Sequence, residues 1–162
     1  MSTMQTMLNT IPQVGQVRWL GLRPAAKSPM EIVETMEIDI ANSVVGDHFS
    51  GKAGSKRQVT LIQAEHLDAV SAILEKEVLP EQLRRNIVVS GINLLSLKEQ
   101  NFQIGGVVLR GTGNCQPCSR MEKNLGPGGY NAMRGHGGIT ASVIESGEIA
   151  LGDSINLILK AD

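Results

Sequence analysis

Aromatic side chains are nearly absent from this chain: one Trp, one Tyr and two Phe among 162 residues. Single-stranded nucleic acids are held largely by stacking on such rings, so that class of partner loses its platform. Basic excess is absent too. Fifteen Lys and Arg stand against sixteen Asp and Glu, a formal net charge of −1, without the footprint that polyanion binding needs. No run approaches the ~18 apolar residues of a membrane-spanning helix. Residues 1–12 lack the basic start and apolar middle of a secretory signal. The expectation is a cytoplasmic protein with no membrane and no nucleic-acid polymer as partner. In that reducing compartment its only two cysteines are free thiols.

What is present is aliphatic and glycine-rich. Apolar residues make up 41%, enough for a core of Val, Ile, Leu and Met. The 18 glycines exceed the usual share of ~7% and sit between short apolar runs. Val14–Leu22, Met30–Met36, Arg57–Ile62, Asn86–Val89, Asn101–Leu109, Gly137–Glu145 and Ser154–Leu159 read as strands. The Gly105-Gly106 pair marks a kink or bulge. Ala64–Lys76 has near-helical apolar spacing, Pro80 opens a second helical stretch, and 119–125 reads as a short helix. No βαβ order is apparent. The pattern predicts an α+β, mainly β fold, a curled barrel of mostly antiparallel strands with a few short helices. Residues 1–13 read as a flexible N-terminal segment and 14–162 as a single domain.

The chemistry concentrates in Gly-Thr-Gly-Asn-Cys-Gln-Pro-Cys-Ser-Arg-Met, residues 111–121. Cys115 and Cys118 form a C-x-x-C pair, which reads as a dithiol redox centre, half of a zinc site, or two inert buried thiols. A thioredoxin-like site belongs beside a βαβ unit. Structural zinc needs four ligands, yet His48, His66 and His136 supply no close pair in sequence, and His66 reads as a surface residue. A thiolate among arginines suits an anionic, metal-bearing or sulfur-bearing ligand. Arg57 and Arg85-Asn86 open strands, Arg134-Gly135-His136 begins a Gly-rich loop, and Lys27 sits in a Pro-bounded loop. Their convergence would make an anion pocket. The turn at 46–51 offers Asp47 as a turn cap and His48 as a neighbour of the site. Gly126-Pro127-Gly128-Gly129 reads as a mobile loop over the pocket and, lacking Gly-Lys-Ser/Thr, not as a P-loop.

Taken in order, several stretches resemble a MOSC domain, named for the C-terminal region of molybdenum cofactor sulfurases. They are the Lys27/Pro29 loop, Gly46-Asp47, 54–61, Arg85-Asn86-Ile87-Val88, Pro117-Cys118, the loop at 134–138 and the ending 148–155. The resemblance runs roughly from Val14 to Leu157. It implies a MOSC-type β-barrel in which Cys118 is the family's cysteine, carrying sulfur or ligating molybdenum. It implies that Lys27, Arg57, Arg85, Asn86, Arg134 and His136 hold the molybdenum cofactor (molybdopterin), a small anionic pterin, with Cys115, Asp47 and His48 in support. Two departures stand out. His48-Phe49 follows Gly46-Asp47 where relatives often place a basic residue before a histidine. The extra N-terminal barrel of larger reductase relatives and a pyridoxal-phosphate desulfurase domain are both lacking, and no lysine motif supports pyridoxal phosphate.

Three functions follow from the resemblance. The first is a Cys-ligated molybdenum reductase of N-hydroxylated or N-oxygenated compounds. It would depend on a separate electron-donor reductase, since no flavin, haem or iron–sulfur motif is visible. The second is a sulfur carrier, in which Cys118 accepts a persulfide from a cysteine desulfurase for metal–sulfur cluster or cofactor assembly. The third is a non-catalytic module that binds or delivers the cofactor. The sequence is compatible with an oligomer and does not name the substrate.

Overall fold

Alternation of side chains sets the strands. In β1 (Gly15–Leu22), Val17 and Leu20 point inward and Gln16 and Arg18 outward, with the parity broken by a bulge between Val17 and Trp19. In the computed structural model, which describes residues 2–48 and 52–159, eleven such strands form. β2 (Glu31–Val33) and β3 (Thr35–Asp39) divide the stretch read as one strand, and β4 (Ser43–Val44) follows. β5 (Val59–Gln63), β6 (Ile87–Ser90), β7 (Asn101–Ile104) and β8 (Val107–Asn114) come next, then β9 (Ile139–Glu145), β10 (Gly147–Ala150) and β11 (Ser154–Leu157). Gly105-Gly106 is the turn of the β7–β8 hairpin rather than a bulge within one strand.

Seven strands close a barrel in the order β11-β7-β8-β9-β5-β6-β1, sealed by β1 pairing back onto β11. β2 extends the sheet from β1, and β10-β3-β4 form a separate small sheet. Leu20, Leu61, Ile87, Phe102, Leu109 and Ile155 are among the side chains filling the interior. Phe102 is the one aromatic among them, fully buried. Truncation of such a phenylalanine costs about 3–5 kcal/mol.

One pairing departs from the expected order. β5 and β6 run parallel, joined by α2 (Ala64–Leu74) and α3 (Pro80–Leu83). This is a βαβ unit, and it explains why all five residues of β5 are buried. Parallel strands with a helical crossover are covered on both faces. Val59 and Leu61 face the barrel, while Ile62 faces a second core with Leu67, Val70, Leu83 and Val88.

Two further helices complete that second core. α4 (Ser119–Leu125) drives Met121 and Leu125 into it, four residues apart on one face, and α5 (Gly129–Met133) adds Ala132 and Met133. The connection between them is the Gly-Pro-Gly-Gly segment. It lines no cavity at the cysteines. Gly126 and Gly128 take φ near +90°, where a side chain is disfavoured, and turn α4 directly into α5. Glu122 accepts from the backbone N–H groups of Gly128 (3.1 Å) and Tyr130 (3.0 Å). Those bonds hold its carboxyl below the usual range.

The N-terminal stretch contains α1 (Thr3–Leu8), capped by Ser2 and exposed along its length. No helix among the described residues is long and apolar enough to cross a membrane.

Candidate functional site

The site begins where β8 runs out. Asn114 ends the strand, residues 115–117 form a connection that is neither helix nor strand, and Cys118 is the N-cap of α4. The two thiols, both free, have opposite surroundings: Cys115 is 1% exposed and Cys118 lies on the surface. The Cys115 N–H donates to the Gly138 carbonyl at 2.9 Å. Arg85 fixes the same loop from beneath. Its Nε donates to Gly137 O (2.9 Å), Nη1 to Leu83 O (2.9 Å) and Nη2 to Cys115 O (3.4 Å). Three of its five N–H donors are thus committed to backbone. The loop at 137–138 fits against this connection only because it is glycine. A Cβ on Gly137 would overlap the Cys115 carbonyl oxygen, and one on Gly138 the Leu61 carbonyl oxygen.

Cys118 opens onto a cavity of about 180 Å³ whose lining is strongly cationic: Arg23, Lys27, Arg57, Arg84, Arg85 and Arg120, with His48 and the apolar Ala26, Leu83 and Met121. A wider groove of about 600 Å³ shares Lys27, Cys118 and Arg120 and adds Ser119, Lys123 and Asn124. The thiol stands at the junction of the two. A separate concavity beneath α1, about 510 Å³, contains neither cysteine and shares no residue with these two.

Little negative charge offsets these cations. Among the described residues the only arginine or lysine ion pair is Arg23 Nε with Asp47 Oδ2, at 3.2 Å. Asp47 is buried, accepts from Asn86 Nδ2 (2.8 Å), and lies 3.8 Å from His48 Nδ1. Asn86 spends itself on the fold: Nδ2 also reaches Gly21 O, and Oδ1 accepts from the Thr60 N–H and hydroxyl. Arg85 is drawn below the usual arginine value first by burial and then by Arg57 and Arg23, while the Cys115 and Cys118 thiols pull the other way. Arg84 is lowered by burial and by Arg120 and Arg23. An anion placed among these side chains relieves that mutual repulsion.

The backbone carries strain at the same place. Of the five non-glycine residues with positive φ among the described residues, Lys27 (94°) and Arg84 (58°) both line the cavity. Such conformations cost about 1–3 kcal/mol and cluster at functional sites. Arg84 Nη1 donates to Ser28 O at 2.9 Å, and Ser28 closes its own turn onto Ala25. The turn bearing Lys27 is therefore clipped over the cavity mouth.

Not every residue singled out in the sequence reaches this cavity. Lys27, His48, Arg57, Arg85 and Cys118 line it; Asp47 and Asn86 stand behind it. Arg134 is an exposed C-cap of α5 and lines neither cavity at Cys118. His136 lies on the other side of the Cys115–Cys118 connection, in a cleft of about 280 Å³ with His66. The two imidazoles form a close pair, centroids 5.2 Å apart and planes at 88°. His66 is thus half-buried in a cleft rather than on the open surface, and two histidines with no close spacing in sequence meet in space. Phe49, Ser50 and Gly51, the rest of the turn after His48, lie outside the described residues. Arg23, Arg84 and Arg120 join the site without a sequence signal stronger than the Arg84-Arg85 doublet.

The family profile of the MOSC domain matches residues 47–156. No curated protein matches the sequence. Among solved structures, the YuaD protein from Bacillus subtilis superposes with a TM-score of 0.77 at 21% identity, covering 90% of this chain and 97% of that one. YiiM from Geobacillus stearothermophilus gives 0.73 at 14% identity, covering 90% and 75%. YiiM from Escherichia coli gives 0.68 at 15%, covering 90% and 71%. These likenesses establish a shared fold. With the profile spanning well over half its length, the chain belongs to the MOSC domain family, whose members are generally molybdenum-cofactor-binding.

Proposed function

We propose that this protein binds molybdenum cofactor through Cys118 and reduces N-hydroxylated or N-oxygenated compounds, drawing electrons from a separate reductase in the cytoplasm. The observation that carries the reading is one exposed thiol at the mouth of a cavity lined by six cationic side chains, five of them without a carboxylate partner among the described residues. The donor set fits the group. Thiolate sulfur is a soft ligand suited to a soft metal centre, and guanidinium groups bind phosphate oxygens in bidentate fashion. Arg57, Arg84, Arg120 and Lys27 would hold the anionic end of the cofactor, with Arg85 lending its uncommitted donors from beneath. When bound, the cofactor supplies the redox-active metal. The chain's own contribution is to present Cys118 among cations, to fix its loop through Arg85, and to leave the wide groove beside it open to a small substrate.

The test is metal and pterin analysis of protein made in a molybdenum-replete host, wild type against Cys118→Ser. Molybdenum and pterin in the wild type, with the metal lost in the variant, support the reading. Neither in the wild type overturns it.

A second reading is favoured by the pairing of exposed Cys118 with buried Cys115 three residues away. Cys118 thiolate would attack the outer sulfur of a desulfurase persulfide, taking that sulfur as Cys118 persulfide while the donor cysteine leaves as thiolate. Mass mapping of Cys118 after incubation with a desulfurase and cysteine decides it: an added sulfur supports transfer, and an unmodified thiol rejects it.

A further inference from the structure

The cleft behind the cysteine connection has no part in the function proposed above, and its lining differs in kind. No Lys or Arg lines it. His66 from α2 and His136 from the loop after α5 face each other there, beside Gln63, Asn93 and Asn114. Three observations bear on what the pair can hold.

The first is spacing. Zinc binds imidazole nitrogen at ~2.0–2.1 Å in tetrahedral geometry. Two imidazoles on one such ion therefore have centroids roughly 5 Å apart, given a ring centre about 1 Å beyond the ligating nitrogen. The observed separation is 5.2 Å, with the rings nearly perpendicular. The second is tautomer control. His136 Nδ1 lies 3.2 Å from the Ala132 carbonyl. An imidazole that donates Nδ1–H to a backbone carbonyl keeps its Nε2 lone pair for a metal, the usual outer-shell arrangement of metal-binding histidines. The third is a deficit. His66 Nδ1 is sealed from water and has no hydrogen-bond partner. A buried polar nitrogen without a partner calls for one, and few other buried side-chain groups here lack it.

We propose that His66 and His136 form a second metal site, separate from Cys118, for a borderline divalent transition ion such as Zn²⁺ or Ni²⁺. No third His, Cys, Asp or Glu completes a cluster with them among the described residues. The remaining positions fall to water and to the amide oxygen of Asn114, a side chain that makes no hydrogen bond of its own among the described residues. Imidazole donors with open positions select Zn²⁺, Ni²⁺ or Cu²⁺ over Mg²⁺ and Ca²⁺. The site therefore falls short of the four protein ligands of a closed structural centre. The adjoining space of about 190 Å³ shares Asn114, Gly135 and Gly138 and reaches Cys115. An ion there sits directly behind the loop that presents Cys118.

The test uses untagged, chelator-stripped full-length protein carrying Cys118→Ser, so that the exposed thiol cannot bind the probe. Zn²⁺ is titrated against a chromophoric chelator, and Co²⁺ spectra report ligand type. One equivalent of Zn²⁺, with affinity falling at least about tenfold in both His66→Ala and His136→Ala, is the expected result; loss of an outer-shell partner alone weakens metal binding by 10–100-fold. Co²⁺ should show ligand-field bands without sulfur charge transfer. Binding that is absent from the Cys118→Ser protein, or unchanged in either histidine variant whose circular dichroism and melting match the parent, overturns the proposal. Should an alanine variant fail to fold, His66→Gln and His136→Gln replace it under the same criterion.

Discussion

Arg85→Met severs the support of the cysteine loop, and its cost can be worked from the bonds it removes. Arg85 is 5% exposed and donates to two backbone carbonyls at 2.9 Å and to a third at 3.4 Å. A hydrogen bond from a charged donor contributes about 1.5–3 kcal/mol, and a buried acceptor left without a partner costs about 1–3 kcal/mol. The long bond to Cys115 adds little. Relief from burying a guanidinium, several kcal/mol per ion before compensation, offsets part of the loss of the two short ones. A net destabilisation of about 3 kcal/mol follows. For a protein of this size that lowers Tm by about 6–12 °C. The same change unpins the loop, so a second thiol should become reactive. Wild type should show one thiol per chain reacting rapidly with a disulfide reagent under native conditions, Cys118; Arg85→Met should show two. A Tm within about 2 °C of wild type, together with a single reactive thiol, would refute the claim that Arg85 holds this loop. Arg85→Lys, which cannot reach all three carbonyls, should fall between.

Other outcomes can be checked alongside it. Gly137→Ala, whose Cβ meets the Cys115 carbonyl, should cost about 1–3 kcal/mol of overpacking and perturb Cys118 reactivity. Gly135→Ala, with nothing within 4 Å but φ at +80°, should cost about 1–2 kcal/mol of backbone strain and leave reactivity unchanged; paired melts and thiol kinetics separate the two. Arg84→Gln should speed hydrogen exchange at residues 25–28, since its bond to Ser28 O is lost, and equal exchange would dismiss the clip. Glu122 has a folded pKa below its ordinary value of 4.5. The stability it lends is therefore present above that value and fades as pH falls through the depressed one. Glu122→Gln should flatten the acid limb of a Tm-against-pH curve, and an unchanged limb would remove Glu122 from that role.

The barrel was legible where chemistry alternates along a strand, as in β1 and the β7–β8 region. It was not legible where pairing is non-local. Val59–Gln63 and Ile87–Ser90 are too short to announce that they lie parallel, and their crossover spans two helices with an irregular join. β10 hides because four residues inside a turn-rich stretch carry no period. α5 hides behind glycines that ordinarily break helices and here permit a tight joint, a Cβ at Gly129 being crowded by Leu125 and Met121. At the site, charged residues at strand ends proved a workable guide for Arg57 and Arg85, which reach one cavity with Cys118 and Lys27. The guide broke down at Arg134 and His136. The loop at 134–138 sends His136 to the far side of the cysteine connection and leaves Arg134 exposed, and spacing along the chain does not say so.

The barrel seam has a consequence for how the molecule is made. Closure rests on Gly15 opposite Ile155 and Gln16 opposite Ser154, reinforced by backbone bonds between Val17 and residues 152–153. Partners this far apart close the largest loop in the fold, and such contacts are slow to form. As the chain is made, β1 precedes every other strand of the barrel, and part of one edge stays unsatisfied until β11 follows. An open edge is a template for other chains. The step that seals the barrel therefore also ends the nascent chain's exposure to mispairing, and a chain stopped short of Ser154 never reaches it.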